Sequence, residues 1–186
     1  EISACLVGSE MCIRDSDLAS SYDPVYKVNP PLRTEADVHA LREALADGTI
    51  DIVATDHAPH PLESKECEWQ EAAFGMLGLE TALSIVQKTM VDSGLMSWSQ
   101  VAERMSHAPA AIGGYQEQGQ KVAQGSFANL VVINPTKSWR VDRDLVLSNS
   151  SNTPYHGHEL PGFVEHTFFK GKHTVENGSV FGKGAI

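Results

Sequence analysis

Apolar residues recur at helical spacing in the first part of the chain, and the pattern predicts two amphipathic helices. The two stripes consist of Val38, Leu41 and Leu45, and of Leu79, Leu83, Val86 and Met90. Thr34 with Asp37 forms a capping pattern before the first stripe. Gly48 and Gly94 are natural ends for the two helices, because glycine readily adopts the left-handed conformation that closes a helix. Further capping residues, Ser97 and Gln100, predict a third helix.

A continuous apolar run follows the first helix. Ile50-Asp51-Ile52-Val53 predicts a buried parallel strand over residues 50–55, because strands covered on both faces are apolar throughout. Helix, glycine turn and apolar strand together form one α/β unit. The carboxyl end of that strand is then the place to search for chemistry.

From Gly125 onward helical periodicity stops and short strand-like segments begin. Residues 128–133 form an apolar run that Asn134-Pro135 is expected to end, and residues 163–169 alternate roughly. Asn177-Gly178 is a hairpin signal. Turns are expected over residues 151–155 and 159–162. The second part of the chain is therefore expected to be a small β-structure.

The composition suits a globular protein and excludes several function classes. The chain has 186 residues, of which 41% are hydrophobic and 20% charged, with a formal net charge of −10. The negative net charge and the absence of a Lys/Arg cluster in the sequence argue against nucleic acid as a partner. No apolar run reaches the ~18 residues of a membrane span. Three cysteines without metal-type spacing predict reduced thiols in the cytosol.

A carboxylate and two imidazoles appear immediately after the predicted strand, in Ala54-Thr55-Asp56-His57-Ala58-Pro59-His60. Active sites of α/β barrels lie where strands end and loops begin. Asp56 is then expected to reach the cleft as a metal ligand or as a base toward water, and His60 to meet a substrate. The alternative is an Asp-His helix cap with a surface imidazole, since short motifs also occur by chance.

Three blocks carry a family resemblance. They are Lys-Val-Asn-Pro-Pro-Leu-Arg at residues 27–33, the segment at residues 54–60, and Phe-Gly-Met-Leu-Gly-Leu-Glu-Thr at residues 74–81. In this order and spacing they resemble the dihydroorotases, in the cyclic amidohydrolase group of the metal-dependent amidohydrolase superfamily. The resemblance runs from about Asp17 to the end of the sequence.

The resemblance implies an α/β fold, namely the C-terminal part of a (β/α)8 TIM-like amidohydrolase barrel followed by strands of a small flanking β-domain. Residues 17–124 would belong to the barrel and residues 125–186 to the β-domain. A complete barrel needs about 250 residues, so the chain is expected to be a piece of a longer enzyme. Residues 1–16 contain a string that resembles a translated sequencing adapter, and they are expected to be non-native.

The resemblance also implies an activity, the reversible metal-dependent hydrolysis of dihydroorotate to N-carbamoyl-aspartate in pyrimidine biosynthesis. Asp56 would be both metal ligand and catalytic base. Asn29, His60 and the backbone of Phe74 and Gly75 would hold the substrate. The implied cofactor is zinc, one or two ions, with the other ligands outside this chain, so the chain alone is expected to be inactive.

Two other functions remain open. One is a related cyclic amidohydrolase of the allantoinase or dihydropyrimidinase type, and the other is a non-catalytic dihydroorotase-like scaffold. His60 and the segment Asn29-Pro30-Pro31-Leu32-Arg33 favour dihydroorotase, because they suit a ring that carries an acid. The resemblance further implies a cytoplasmic enzyme that can form a homodimer. The remaining histidines His107, His156 and His158 are expected to be packed or surface residues.

Overall fold

The computed structural model describes residues 21–181. The segment predicted to be non-native, residues 1–16, lies outside them. Helix α1 spans Glu35–Asp47, and α2 spans Ala82–Val86 and continues as a π-helical turn at Gln87–Val91. Helix α3 spans Trp98–Ala102, and a π-helical turn at Glu103–His107 joins it to α4 at Ala108–Ile112. Short 3-10 turns lie at Pro24–Tyr26 and Leu62–Ser64.

Helix α1 forms as its sequence predicts. The Thr34 hydroxyl accepts a hydrogen bond from the Asp37 amide, and the Asp37 carboxylate accepts one from the Thr34 amide. The Thr34 hydroxyl also donates to the Asp37 carboxylate, and this bond, followed by the bond from the Thr34 amide, lowers the pKa of Asp37. Gly48 ends the helix with a φ of 95°. Val38 and Leu45 are buried, so the apolar stripe faces the core and the prediction is confirmed.

Helix α2 starts later than its apolar stripe suggests. The helix begins at Ala82, and Leu79 lies before it with 61% of its surface exposed. The amides of Gly78 and Leu79 donate to the His57 ring, so this stretch is held by another segment and cannot enter the helix. Met90 on the same stripe is fully buried. The assignment of Leu79 to the buried face is therefore wrong.

The predicted strand at residues 50–55 does not form in the described part of the chain. The Ile50 amide donates to the Ala44 carbonyl at 2.9 Å, and the Val53 amide to the Arg104 carbonyl at 3.1 Å. Single bonds of this kind do not make a ladder, which needs a neighbouring strand with regularly spaced partners. Ile50 is buried, as the apolar pattern predicts. The prediction of a paired strand at residues 50–55 is wrong for the part of the chain that the structure describes.

One antiparallel sheet forms the second part, with strand order β1-β2-β3-β4. The strands are β1 at Leu130–Arg140, β2 at Glu159–Phe169, β3 at Lys172–Glu176 and β4 at Ser179–Val180. Asn177 and Gly178 have φ of 49° and 79°, which confirms the hairpin that Asn-Gly predicts.

Two predicted interruptions of the sheet lie inside strands. Strand β1 continues through Asn134-Pro135, where its pairing with β2 shifts register between Asn134 and Ser138. An edge strand tolerates this proline because the missing amide leaves no gap in a central ladder. The turn predicted at residues 159–162 is the start of β2.

Within residues 21–181, an apolar core joins the helices to the chain around the sheet. Its buried members are Leu45, Ile50, Ile85, Val86, Met90, Met96, Val101, Val141, Tyr155 and Leu160. The Trp139 indole donates to the Ser84 hydroxyl at 3.0 Å, and that hydroxyl donates to the Gly162 carbonyl. The core thus spans the predicted domain boundary at residue 124, which stays a prediction. Within the described residues, no helix combines the length and apolarity needed to cross a membrane.

Truncating this core should cost stability in proportion to burial. Leu45→Ala removes a side chain that is only 1% exposed, and we expect the free energy of unfolding to fall by about 2–5 kcal/mol. Leu145→Ala, at 56% exposure, is the matched control and should change it by less than about 0.5 kcal/mol. Urea denaturation measures both, and equal losses would contradict this assignment of the core.

Candidate active site

Asp56 is exposed, and its backbone has an unusual conformation. Its φ is 43°, which is in the left-handed region that non-glycine residues rarely adopt, although aspartate tolerates it better than most. Unusual backbone conformations of this kind concentrate at functional sites. The Asp56 residue is exposed to solvent, where a substrate or an ion can reach it.

His57, next to Asp56, anchors a second segment. Its Nδ1 atom accepts hydrogen bonds from the amides of Gly78 and Leu79, at 3.2 and 3.3 Å. An accepting Nδ1 needs a lone pair, so the neutral ring carries its proton on Nε2. The sequence indicates that His57 is near the site but does not indicate this anchoring role.

His60 and Gly75 lie in direct contact. The His60 Nε2 atom donates to the Phe74 carbonyl at 2.8 Å, since a carbonyl can only accept. A Cβ added at Gly75 would lie 2.5 Å from the Ala58 Cβ and 3.1 Å from His60 Nε2. Only glycine permits this approach, and its φ of 130° also excludes most other residues. Three of the five predicted site residues are therefore brought together.

Asn152 holds this region in place, and the sequence does not single it out. Its Oδ1 atom accepts from the His60 amide at 3.2 Å, and its Nδ2 atom donates to the carbonyls of Ala58, at 2.9 Å, and Gly75, at 3.3 Å. Its own carbonyl accepts from the Leu77 amide. Asn152 is 6% exposed. Asn152 lies in a predicted turn. Its side chain contacts residues 77 to 94 positions away along the chain, so the local sequence does not reveal these contacts.

Two buried lysine side chains form hydrogen bonds with the loop that precedes Phe74. The Lys27 ammonium donates to the carbonyls of Trp69 and Gln70, and it lies 4.6 Å from the centre of the Phe74 ring. The Lys65 ammonium donates to the Ala73 carbonyl at 2.9 Å and to the Lys27 carbonyl at 3.3 Å. Burial, followed by the neighbouring charge of Lys27, lowers the pKa of Lys65 to about 8.

Asn29 lies beside this cluster. It follows Val28 and Lys27, both buried, and the Lys27 carbonyl accepts the Gly75 amide at 2.9 Å. The Asn29 side chain is exposed and makes no hydrogen bond within residues 21–181. Its predicted role in substrate binding stays a prediction.

A cavity of about 420 Å³ opens beside His60. Lys65, Arg143, Asn152, His156 and His158 are among the residues that line it. The other four predicted site residues do not line it. His156 and His158 are exposed, and His156 accepts from the Arg143 amide, which confirms their expected surface role.

His107 is half-buried and contacts the Gly119 carbonyl through Nδ1. It is therefore a packed residue, as expected.

The described residues do not complete a metal site at Asp56. Catalytic zinc sites use about three protein ligands. Among residues 21–181, a single group of three His, Cys, Asp or Glu side chains converges closely enough to hold an ion, and it lies on β2 and β3. Asp56 can contribute one carboxylate, and the described chain adds no second ligand there.

Comparison with known proteins assigns the fold. The model of the amidohydrolase family matches residues 11–174. The chain belongs to the amidohydrolase family. Its architecture, a mixed α/β part with a small antiparallel sheet, agrees with the expected C-terminal part of a TIM-like amidohydrolase barrel and flanking β-strands.

Curated relatives of this amidohydrolase chain are named dihydroorotase. The protein of Streptomyces coelicolor is 60% identical over 164 residues, which cover 88% of this chain and 38% of that protein. The protein of Mycobacterium tuberculosis is 46% identical over 179 residues, covering 96% of this chain and 41% of that protein. The chain therefore spans about two fifths of the length of these relatives.

Solved structures give the same fold. An L-hydantoinase (dihydropyrimidinase) from Arthrobacter aurescens is 31% identical, with a TM-score of 0.86 over 94% of this chain and 39% of that chain. A D-hydantoinase (dihydropyrimidinase) from Thermus sp. is 26% identical, with a TM-score of 0.77 over 86% of this chain and 36% of that chain.

Removing the Asn152 amide should loosen the site. Asn152→Ala leaves the buried polar groups of Ala58 and His60 without this partner, and we expect a loss of about 1–3 kcal/mol in the free energy of unfolding. Asn149→Ala, at an exposed position three residues away, is the control and should leave it nearly unchanged. Chemical denaturation distinguishes the two, and a neutral Asn152→Ala would contradict the anchoring role.

Stability should rise with pH because of Lys65. Its pKa is lowered from 10.5 to about 8 in the folded chain, so between these values the unfolded chain binds a proton that the folded chain has released. The free energy of unfolding therefore increases as pH rises through this window. Denaturation at pH 7.5 and 9.5 should show a larger rise for the parent than for Lys65→Met.

Lys88→Met, at an exposed position, is the control for that comparison and should keep the rise of the parent. An identical pH response in the parent and in Lys65→Met would show that Lys65 titrates normally.

Proposed function

We propose that this chain is part of a dihydroorotase, which hydrolyses the cyclic amide of dihydroorotate reversibly to N-carbamoyl-aspartate. The observation that carries the proposal is the contact of His60 with Phe74 and Gly75, in the segment that also contains Asp56. The 60% identity to a protein named dihydroorotase supports the choice of substrate. Pyrimidine biosynthesis and a cytoplasmic location follow from that activity as parts of the proposal.

Asp56 is the proposed proton carrier. Amide hydrolysis needs a group that takes a proton from the attacking water and later gives one to the departing ring nitrogen. The Asp56 carboxylate is exposed and can do both. The neighbouring His57 ring is hydrogen-bonded to Gly78 and Leu79, which supports the backbone position of Asp56.

His60 and the adjoining backbone are the proposed substrate contacts. His60 borders the cavity, so its ring edge can meet the carboxylate of the substrate. The carbonyls of Phe74 and Gly75 each accept one hydrogen bond inside the protein. A carbonyl has a second lone pair, which can accept a ring N–H. Asn29, exposed beside the cluster, is the remaining proposed contact.

Membership of the amidohydrolase family implies a metal cofactor, and we propose zinc. Such an ion polarises the carbonyl and acidifies a bound water. Asp56 is the ligand that the described residues offer, and the proposal places the others elsewhere in the enzyme. A homodimer is a further part of the proposal, suggested by the resemblance to dihydroorotases.

A second candidate is hydrolysis of hydantoins or dihydropyrimidines. The likeness to an L-hydantoinase (dihydropyrimidinase), at 31% identity and a TM-score of 0.86, favours it. The higher identity to dihydroorotases, 60% over 88% of the chain, gives the first proposal precedence. The two differ in substrate, because dihydroorotate has a carboxylate on its ring.

A chimera tests the proposal directly. Residues 17–186 replace the matching segment of the Streptomyces coelicolor dihydroorotase, and hydrolysis of dihydroorotate, hydantoin and dihydrouracil is measured. We expect turnover of dihydroorotate and a loss of at least about a thousandfold in Asp56→Asn, because the amide cannot accept the proton. His60→Ala should raise the KM for dihydroorotate and leave the metal content unchanged.

Asp51→Asn, at an exposed position in the same segment, is the matched control and should retain activity. A folded chimera that hydrolyses hydantoin in preference would transfer the assignment to the second candidate. Undiminished turnover in Asp56→Asn would overturn the role of Asp56 under either candidate.

A further inference from the structure

A second cluster of chemically capable side chains lies on the antiparallel sheet, and the proposed hydrolysis does not use it. His166 lies on β2, and His173 and Glu176 lie on β3. One ligand atom from each of the three lies within 4.8 Å of the other two. The histidines are half-buried and the glutamate is exposed, so the cluster opens to solvent.

A β-bulge creates this cluster. His166 pairs with Glu176, and Phe168 pairs with His173, so β3 has one residue more than β2 between these pairs, in the region of Thr174. In a regular strand, residues three apart point to opposite faces. The extra residue changes the alternation, and His173 therefore shares a face with Glu176 and His166.

The distances fit a tetrahedral ion. His166 Nδ1 and His173 Nε2 lie 3.1 Å apart. Two nitrogens bound to zinc at about 2.0–2.1 Å with a tetrahedral angle lie about 3.3 Å apart. The Glu176 carboxylate adds a third ligand, and its exposure leaves it free to close on an ion.

Aromatic neighbours fix the orientation of the central imidazole. The Phe168 ring stacks on the His173 ring, with centroids 4.6 Å apart and planes at 13°. The Phe181 ring contacts the same His173 ring edge-on, and the two ring centroids lie 4.9 Å apart. An imidazole held in this way loses little side-chain freedom when it binds an ion.

We propose that His166, His173 and Glu176 bind one transition-metal dication, with zinc preferred, and that the ion clamps the β2–β3 hairpin. Two imidazoles and a carboxylate suit zinc and cobalt better than magnesium or calcium, which prefer oxygen ligands alone. Three protein ligands leave a fourth position for water. Without an ion, His166 Nδ1 and His173 Nε2 form a hydrogen bond with each other. This ion-free state is the alternative to metal binding.

Cobalt titration of the purified 186-residue chain tests this site without relying on catalysis. Co²⁺ in a tetrahedral site absorbs strongly in the visible range, and we expect this absorption to saturate at one ion per chain and to disappear when Zn²⁺ is added. His173→Gln and Glu176→Gln should each weaken binding at least tenfold. Glu176 is exposed, so its replacement removes a ligand and leaves the fold intact, which far-UV circular dichroism checks.

Two variants serve as controls. His156→Gln changes an exposed histidine outside the cluster, and Asp56→Asn changes the proposed active-site carboxylate; both should bind cobalt like the parent. Absence of saturable tetrahedral absorption in the parent chain would overturn the proposal. The same result follows if binding persists unchanged in His173→Gln, or if Asp56→Asn alone abolishes it.

Discussion

The amide side chain of Asn152 is the constraint on which the candidate site depends. It accepts the His60 amide and donates to the carbonyls of Ala58 and Gly75, so it joins two loops that do not pair with each other as strands. Buried backbone groups need partners, and one satisfied side chain supplies three here. These three bonds, together with the bond from the Ala58 amide to the Met76 carbonyl, hold Gly75 close to Ala58 and so fix the place of His60.

Two lysine side chains, and not a neighbouring strand, hold the segment that leads to Phe74. Lys27 and Lys65 donate to backbone carbonyls of the segment that leads to Phe74. Charge-assisted hydrogen bonds are stronger than neutral ones, but burial disfavours the charged form of Lys65 and the nearby Lys27 charge repels it, and both effects lower the pKa of Lys65. The loop is therefore held by contacts whose strength depends on protonation, whereas the Asn152 contacts do not titrate.

Local features of the fold could be predicted from the sequence, and distant contacts could not. Helix α1 with its cap, and the Asn177-Gly178 hairpin, follow from residues within one turn of each other. The apolar run at residues 50–53 indicates burial. Burial alone does not specify a pairing partner, and the predicted strand at residues 50–55 does not form within residues 21–181. At the site, the motifs at His60 and at Phe74-Gly75 lie in segments that the structure brings into contact, whereas the roles of Asp56 and His60 stay predictions. The sequence does not predict the anchoring roles of Lys27 and Asn152, because each side chain bonds to residues more than 40 positions away.

The histidines show why spacing is a poor guide to metal sites on a sheet. His156 and His158 have the alternate spacing that places two strand residues on one face, yet they lie exposed in a loop. His166 and His173 are seven residues apart, and their rings meet because β2 and β3 are antiparallel neighbours. Glu176 is the direct cross-strand partner of His166, and His173 shares their face only because of the extra residue near Thr174. Register across the hairpin, and not separation along the chain, therefore determines which side chains can share an ion.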